Sequence, residues 1–482
     1  MMLLSQAAQA TGGKLVGADV RFNAVSSDSR KIVQGDLFVA LRGEHFDGYN
    51  FVATAAQAGA VAALVNKDSY EGQGTRGKEQ GTRLAAGISL LVVEDTRLAL
   101  GRLAGWWRRQ FAIPLVAITG SNGKTTVKEM LASILREAAG SADAVLATQG
   151  NLNNDIGMPL TLLQLNATHR YSVIEMGMNH SGEIEYLTRI ARPDVALINN
   201  ASGAHLEGLG SVEAVARAKG EIFAGLKHYG AAVINADDAN APLWRSLVGV
   251  NPLLEFGLNP EADVCGTWRP HGYGLRLDVT APQGIFTANL QVPGAHNARN
   301  ALAATAAAIV LNISLETIAA GLEKFSGVAG RLQRKAALHG ASLIDDTYNA
   351  NPASLRAAIS VLAQAAGKRI LVLGDMGELG DDAAIFHAEI GSEARCAGIE
   401  KLYALGTLSG NAVSEFGSGA QHFERVEDLQ AALENELDAN TTVMVKGSRF
   451  MKMERVVQYL EAGSGEKQER PPAAHSKEKT CF

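Results

Sequence analysis

The stretch from Leu115 to Leu135 constrains this chain more than any other. Leu115-Val116-Ala117-Ile118 is a short apolar run, and Thr119-Gly120-Ser121-Asn122-Gly123-Lys124-Thr125-Thr126 is a loop with two glycines and a lysine. Val127, Met130, Leu131, Ile134 and Leu135 then recur at i, i+3, i+4, i+7 and i+8. The spacing predicts a strand, a loop and an amphipathic helix in that order. Such a geometry turns backbone N–H groups and a helix N-terminus toward a phosphate. In it Lys124 reaches the β- and γ-phosphates and the Thr125 hydroxyl ligates Mg²⁺. The general phosphate-binding loop has four residues between its glycines, whereas only Ser121 and Asn122 separate Gly120 from Gly123. The strand before, the helix after and Lys-Thr-Thr at the junction favour nucleotide binding by residues 120–126 over a structural turn.

Composition narrows the remaining choices. A chain of 482 residues has room for two to four domains. It is 47% apolar and 20% charged, as soluble globular proteins are, and its net charge of −6 gives no basic surface for nucleic acid. Phosphate binding must then be local. Cys265, Cys396 and Cys481 lie far apart and make neither a disulfide framework nor a zinc spacing. The start of the chain lacks the charged opening of a secretory signal, and no apolar run approaches a membrane span, so a cytoplasmic enzyme is expected.

In chain order, residues 1–98 read as a small α/β unit. Strands are expected at Leu37–Leu41, Val61–Val65 and Leu90–Val93, with a helix from Phe51 to Gly59. Residues 67–83 are polar and Gly-rich and read as an exposed, mobile loop insertion. Asp95 is placed to cap the helix that carries Trp106 and Trp107. From 99 to 327 apolar runs at Leu115–Ile118, Tyr171–Ile174, Val195–Ile198 and Ala231–Ile234 alternate with helical stretches. That alternation implies a mostly parallel sheet covered by helices, with ligands at the carboxyl ends of its strands. Those strands end at Thr119, Glu175, Asn199-Asn200 and Asn235. A third, Rossmann-like α/β domain is expected over 328–463, with strands at Ser342–Ile344, Ile370–Leu373, Leu402–Leu405 and Thr442–Val445 and a last helix over Arg449–Leu460. Residues 464–482 are charged and Pro-rich and read as a disordered tail.

Several residues beyond the loop could carry chemistry. Glu175 at a strand end and His205 in the loop after Val195–Ile198 make a plausible Mg²⁺ pair, though a lone histidine is more often a packing residue. Lys219 lies on an expected helix, where a solvated surface lysine is the plain alternative. Asn297 and Asn300 sit one turn apart at a helix start, where asparagine can read adenine or cap the helix.

Together these pieces resemble the Mur ligases, ATP-dependent amide-forming enzymes of peptidoglycan precursor synthesis to which folylpolyglutamate synthase is related. The family's shortened loop, Thr-Gly-x-x-Gly-Lys-Thr/Ser, matches Thr119 to Thr125. The resemblance also rests on Thr148 to Thr161, Glu175-Met176-Gly177-Met178-Asn179, Ile344 to Pro352, Gly374 to Gly380 and Val445-Lys446-Gly447-Ser448-Arg449. These motifs are similar to those of the members that join D-alanyl-D-alanine to UDP-N-acetylmuramoyl-tripeptide, and they imply those two partners.

The resemblance further implies roles for single residues. Glu175, His205 and a carbamoylated Lys219 would hold a second Mg²⁺ beside the one on Thr125. Asn297, Asn300, Arg331 and Asp346 would contact ATP. Ser29 and Arg30 would meet the uridine nucleotide, and Asn151, Asn153, Asn154, Asn349 and Asn351 the rest of the substrate. A monomer is the plain expectation. A diamino-acid-adding or folylpolyglutamate-type ligase, and a non-ligating P-loop switch, are the competing readings; the Asp-Asn-Pro-Arg signature of the diamino-acid-adding enzymes is absent.

Overall fold

The computed structural model describes residues 1–43, 46–75, 87–203 and 206–462. The chain divides into two compact units, Met1–Gly327 and a second beginning at Val328. No helix among the described residues is long and apolar enough to cross a membrane.

The first unit holds two large sheets. Its N-terminal sheet comprises β1 (Lys14–Val16), β2 (Val25–Ser26), β3 (Leu37–Val39), β4 (Ala62–Asn66) and β5 (Ser89–Val93), in the order β1-β5-β4-β3-β2. β2 to β5 run parallel and β1 is antiparallel to β5. β3, β4 and β5, apolar apart from Asn66 and Ser89, are buried along their whole length, as strands covered on both faces must be. The expected loop at 67–83 is in part a helix: α1 spans Lys67–Thr75, and residues 76–83 lie outside those described. Asn66 Oδ1 accepts from the N–H groups of Asp68 and Ser69 at 2.9 and 3.4 Å, and Tyr70 packs on the core beneath. A side-chain cap and one aromatic anchor thus start a helix despite poor propensity.

Helix α2 (Thr96–Arg108), capped by Asp95 as expected, joins this sheet to the next. Ala99, Leu100, Leu103 and Ala104 at helical spacing enter one core cluster with Leu37 and Leu64 of the first sheet and Leu115 and Ala117 of the second.

The second sheet has nine strands among the described residues: β6 (Leu115–Thr119), β7 (Val145–Ala147), β8 (Tyr171–Glu175), β9 (Val195–Ile198), β10 (Ala231–Asn235), β11 (Leu253–Gly257), β12 (Val264–His271), β13 (Gly274–Ala281) and β14 (Gly284–Leu290). Their order is β14-β13-β12-β11-β10-β9-β6-β8-β7. β6 to β12 are parallel, but β12-β13-β14 form an antiparallel meander that replaces the expected strand–helix alternation. Leu275, Leu277, Val279 and Ala281 are buried at every second position, so the strand period of two was legible in β13.

The second unit is a six-stranded sheet of β15 (Gln333–Ala336), β16 (Ser342–Asp346), β17 (Lys368–Gly374), β18 (Lys401–Leu405), β19 (Ala420–Phe423) and β20 (Thr441–Lys446). Its order is β15-β16-β20-β17-β18-β19, parallel apart from β15. β20, last in the chain, inserts between β16 and β17, so the carboxyl ends of these three strands line a crevice where the strand order reverses. The last helix is shorter than expected: a 3₁₀ turn over Arg449–Met451 ends at Lys452, whose φ of 51° is left-handed, and the α-helix runs over Glu454–Ala462.

Candidate nucleotide site

The site is built at the carboxyl end of β6. Register places Thr119 beside Ile198 of β9 and Ile118 beside Glu175 of β8, so the loop after β6 emerges between Glu175 and Asn199. Helix α3 (Lys124–Ala139) follows, and the five apolar positions of its sequence pattern are all fully buried. Burial of such side chains stabilises by roughly 1.5–3 kcal/mol each, which seats the helix N-terminus firmly.

The loop conformation depends on Gly123, which caps α3 at φ 78° without a side-chain bond. A Cβ there would lie 2.5 Å from Asn300 Oδ1 and 2.6 Å from Asn199 Nδ2. The segment after β9 braces the loop. Ser121 N donates to Asn200 O at 3.0 Å, Asn122 N to Asn200 Oδ1 at 2.8 Å, and Asn199 and Asn200 both donate their side-chain amides to Asn122 O. Ser202 exchanges bonds with Ser121 and Asn122. Sequence reading marked Asn199-Asn200 only as a polar strand end and missed Ser202; a polar run directly after a strand neighbouring the loop was the available signal.

Lys124 folds back so that its Nζ donates to Gly120 O at 2.7 Å. Thr125 Oγ1 donates to Glu175 Oε2 at 2.8 Å, and Asn153 Nδ2 to Glu175 Oε1 at 2.7 Å. A hydroxyl and a buried carboxylate beside a helix N-terminus are hard oxygen donors, which suit Mg²⁺ completed by phosphates and water. Among the described residues no group of three or more His, Cys, Asp or Glu side chains could hold a metal by itself. His205 lies outside the described residues.

Lys219 is no surface lysine. It sits on α4 (Val212–Gly220) at 2% exposure, on a face that includes the buried Val215 and Ala216. Trp244 closes that region, its Nε1 donating to Ala216 O at 2.9 Å. Burial, reinforced by the positive charge of Lys124, pushes the Lys219 amine well below the usual lysine range.

Asn297 and Asn300 begin α5 (Ala295–Val310) and are both buried. They form a chain of amides: Asn199 Nδ2 donates to Asn300 Oδ1 at 2.9 Å, Asn300 Nδ2 to Asn297 Oδ1 at 3.1 Å, and Asn297 Nδ2 to Pro293 O at 2.8 Å. The chain ties the start of α5 to the phosphate loop.

The other expected residues are spread more widely. Asn151 is exposed, and Asn154 Oδ1 accepts from Ile156 and Gly157 N–H groups at the start of a short helix. Ser29 opens a 3₁₀ turn. Arg30, with its side chain 87% exposed, makes a two-pronged bond to Asp28 that holds this carboxyl down at about 2.

In the second unit Asp346 accepts from Lys446 Nζ at 2.6 Å and from Leu332 N at 3.2 Å, with burial pushing its carboxyl upward. Arg331 lies over the Tyr348 ring at 4.1 Å. Asn349 O accepts from Lys446 Nζ at 2.9 Å. Asn351 forms a capping box with Ser354 at the start of α6 (Pro352–Leu362).

Comparison with known proteins places the chain in one family. Family models match in three places: the Mur ligase family catalytic domain at residues 21–107, the Mur ligase middle domain at 118–308, and the Mur ligase glutamate ligase domain at 330–449. The UDP-N-acetylmuramoyl-tripeptide–D-alanyl-D-alanine ligase of Escherichia coli (strain K12) is 41% identical over 462 residues, covering 95% of this chain and 98% of its own. The crystal structure of MurF from Acinetobacter baumannii is similar with a TM-score of 0.86 at 37% identity, covering 95% of this chain and 98% of that one. MurF ligase from Thermotoga maritima in complex with ADP gives 0.78 at 26% identity, covering 92% and 97%.

Proposed function

The chain belongs to the Mur ligase family, and from that premise we propose that it joins D-alanyl-D-alanine to UDP-N-acetylmuramoyl-tripeptide while ATP becomes ADP and phosphate. The observation that carries this reading is the glycine loop and helix terminus after β6 with Thr125 and Glu175 in contact beside it, in a chain similar to that ligase over 95% of its length.

The terminal carboxylate of the tripeptide attacks the γ-phosphorus of ATP, the bond to the ADP oxygen breaks, and an acyl phosphate forms. The dipeptide amine then attacks the acyl carbon, loses a proton, and expels phosphate from a tetrahedral intermediate. Both first-step reactants are anions, so neutralisation and alignment are the protein's main contribution. Lys124 exchanges its bond to Gly120 O for the phosphates. Thr125 would hold one Mg²⁺, and Glu175, His205 and Lys219 as its carbamate a second, and the two would supply charge neutralisation between carboxylate and triphosphate. The lowered amine of Lys219 favours this, because only a neutral amine adds CO₂.

Asn297 and Asn300 form the adenine side, their amides joined in one hydrogen-bonded chain. Arg331 and Asp346, by the family resemblance, would contact ATP. Residues 1–98, through Ser29 and Arg30, hold the uridine nucleotide. Residues 99–327 and 328–463 form the ATP-binding and C-terminal domains. Asn151, Asn153, Asn154, Asn349 and Asn351 would contact the muramoyl peptide; Asn154 and Asn351 also bond the first N–H groups of helices.

The test is phosphate release measured with ATP and Mg²⁺. It should appear only when UDP-tripeptide and D-alanyl-D-alanine are both present. Release without an amine acceptor would instead indicate a P-loop switch.

A further inference from the structure

Lys128 is the second lysine of α3 and is 1% exposed. Its ammonium donates to Thr148 O and pairs with Glu129 Oε1 at 2.7 Å. Burying a charge is costly, and an apolar side chain of similar volume would fill the space without that cost. What an apolar side chain cannot do is hold the Thr148 carbonyl.

That carbonyl is at a decisive place. β7 is three residues long and lies at the sheet edge, pairing with β8 alone. The register runs Tyr171↔Val145, Ser172↔Leu146 and Val173↔Ala147, and Thr148 N still donates to Val173 O at 3.1 Å. Continued by one more bond, the parallel ladder would take Glu175 N to Thr148 O. Instead Glu175 N donates to Thr148 Oγ1 at 2.9 Å, and the carbonyl turns to Lys128. The strand therefore leaves the ladder at Thr148. The chain then runs on to Asn153, whose amide meets Glu175 Oε1 and whose carbonyl accepts from Gly177 N at 2.9 Å.

We propose that Lys128 is a positioning residue of the metal–nucleotide site: by drawing the Thr148 carbonyl out of the β7–β8 ladder it sets the loop whose Thr148 hydroxyl and Asn153 amide aim the Glu175 carboxylate. This rests on the nucleotide reading given above. It matters most when Mg²⁺·nucleotide binds, because the Thr125 hydroxyl then turns toward the metal and Glu175 keeps only the partners that Lys128 positions.

The experiment is calorimetric ADP binding with Mg²⁺ and in EDTA, for the wild type, Lys128→Met, Asn153→Ala and the double variant. Wild-type ADP should bind more tightly with Mg²⁺; failure of the wild type to bind ADP would reject the nucleotide reading itself. Lys128→Met should lose about tenfold of the Mg²⁺-dependent gain, with binding in EDTA unchanged. The two losses should be less than additive in the double variant, since both changes disturb the aim of one carboxylate; fully additive losses would overturn the proposal. A folded Lys128→Met with the full Mg²⁺-dependent gain would overturn the proposal, as would equal losses with and without Mg²⁺. Thr148→Val keeps the lysine and removes only the hydroxyl, and it decides alone if Lys128→Met does not fold. It should lose the same gain, and a normal gain would overturn the proposal.

Discussion

Thr125 Oγ1 donates to Glu175 Oε2 at 2.8 Å, joining the helix that follows the phosphate loop to the end of the neighbouring strand. In the proposed site this one carboxylate answers to both the nucleotide and the metal. Glu175→Gln keeps the shape but removes the charge. Turnover should fall by about 100-fold or more, while the melting temperature moves by only a few degrees. Steady-state kinetics over a Mg²⁺ titration checks this, and near-normal turnover would reject a metal role for Glu175.

Gly123→Ala places a Cβ at φ 78° and within 2.6 Å of two asparagine side chains. The expected loss is about 1–3 kcal/mol of stability together with weakened ADP binding. Thermal melts and calorimetry would show it. Wild-type values for both would mean that the loop does not need this conformation.

Lys219 has a pH signature. Its folded-state amine is held well below the usual value, so between that lowered value and ~10.4 the unfolded chain binds a proton that the folded chain does not. Stability must then rise with pH across this window, by up to ~1.4 kcal/mol per pH unit. Lys219→Met removes the term. In CO₂-depleted buffer the variant should be more stable than the wild type near neutrality, with the gap closing as pH approaches 10. Parallel melting curves at all pH values would contradict a buried neutral amine.

Asn300→Ala cuts the amide chain, leaving Asn199 Nδ2 and Asn297 Oδ1 each one bond short. A cost of about 1–3 kcal/mol follows for an unsatisfied buried group. KM for ATP should rise while the preference for ATP over GTP survives. Loss of that preference would show that Asn300 reads the base directly.

The order of strands and helices near the site was legible because it rests on local patterns. Apolar runs marked β6, β8, β9 and β10 to within a residue, and Asp95 announced the cap of α2. The errors came where a local pattern had tertiary support that spacing does not record. α1 forms in a Gly-rich stretch because Asn66 caps it and Tyr70 anchors it. The capping role of Asn351 was likewise hidden, since asparagine suits a cap and a ligand contact equally well.

By itself the sequence determined a shortened glycine loop between a strand and a helix, and with it a candidate phosphate site at the carboxyl end of an inner strand of a parallel sheet. Backbone periodicity and the conformational freedom of glycine are local properties, written residue by residue. Which lysines lie buried was decided by the tertiary structure alone. Lys124, Lys128 and Lys219 are the same side chain in the sequence. Only the packing of α3 and α4 sends one to the loop carbonyl, one to the end of β7, and one into a buried position near another positive charge. Desolvation and partner geometry depend on residues distant in the chain, and they set the chemistry of each.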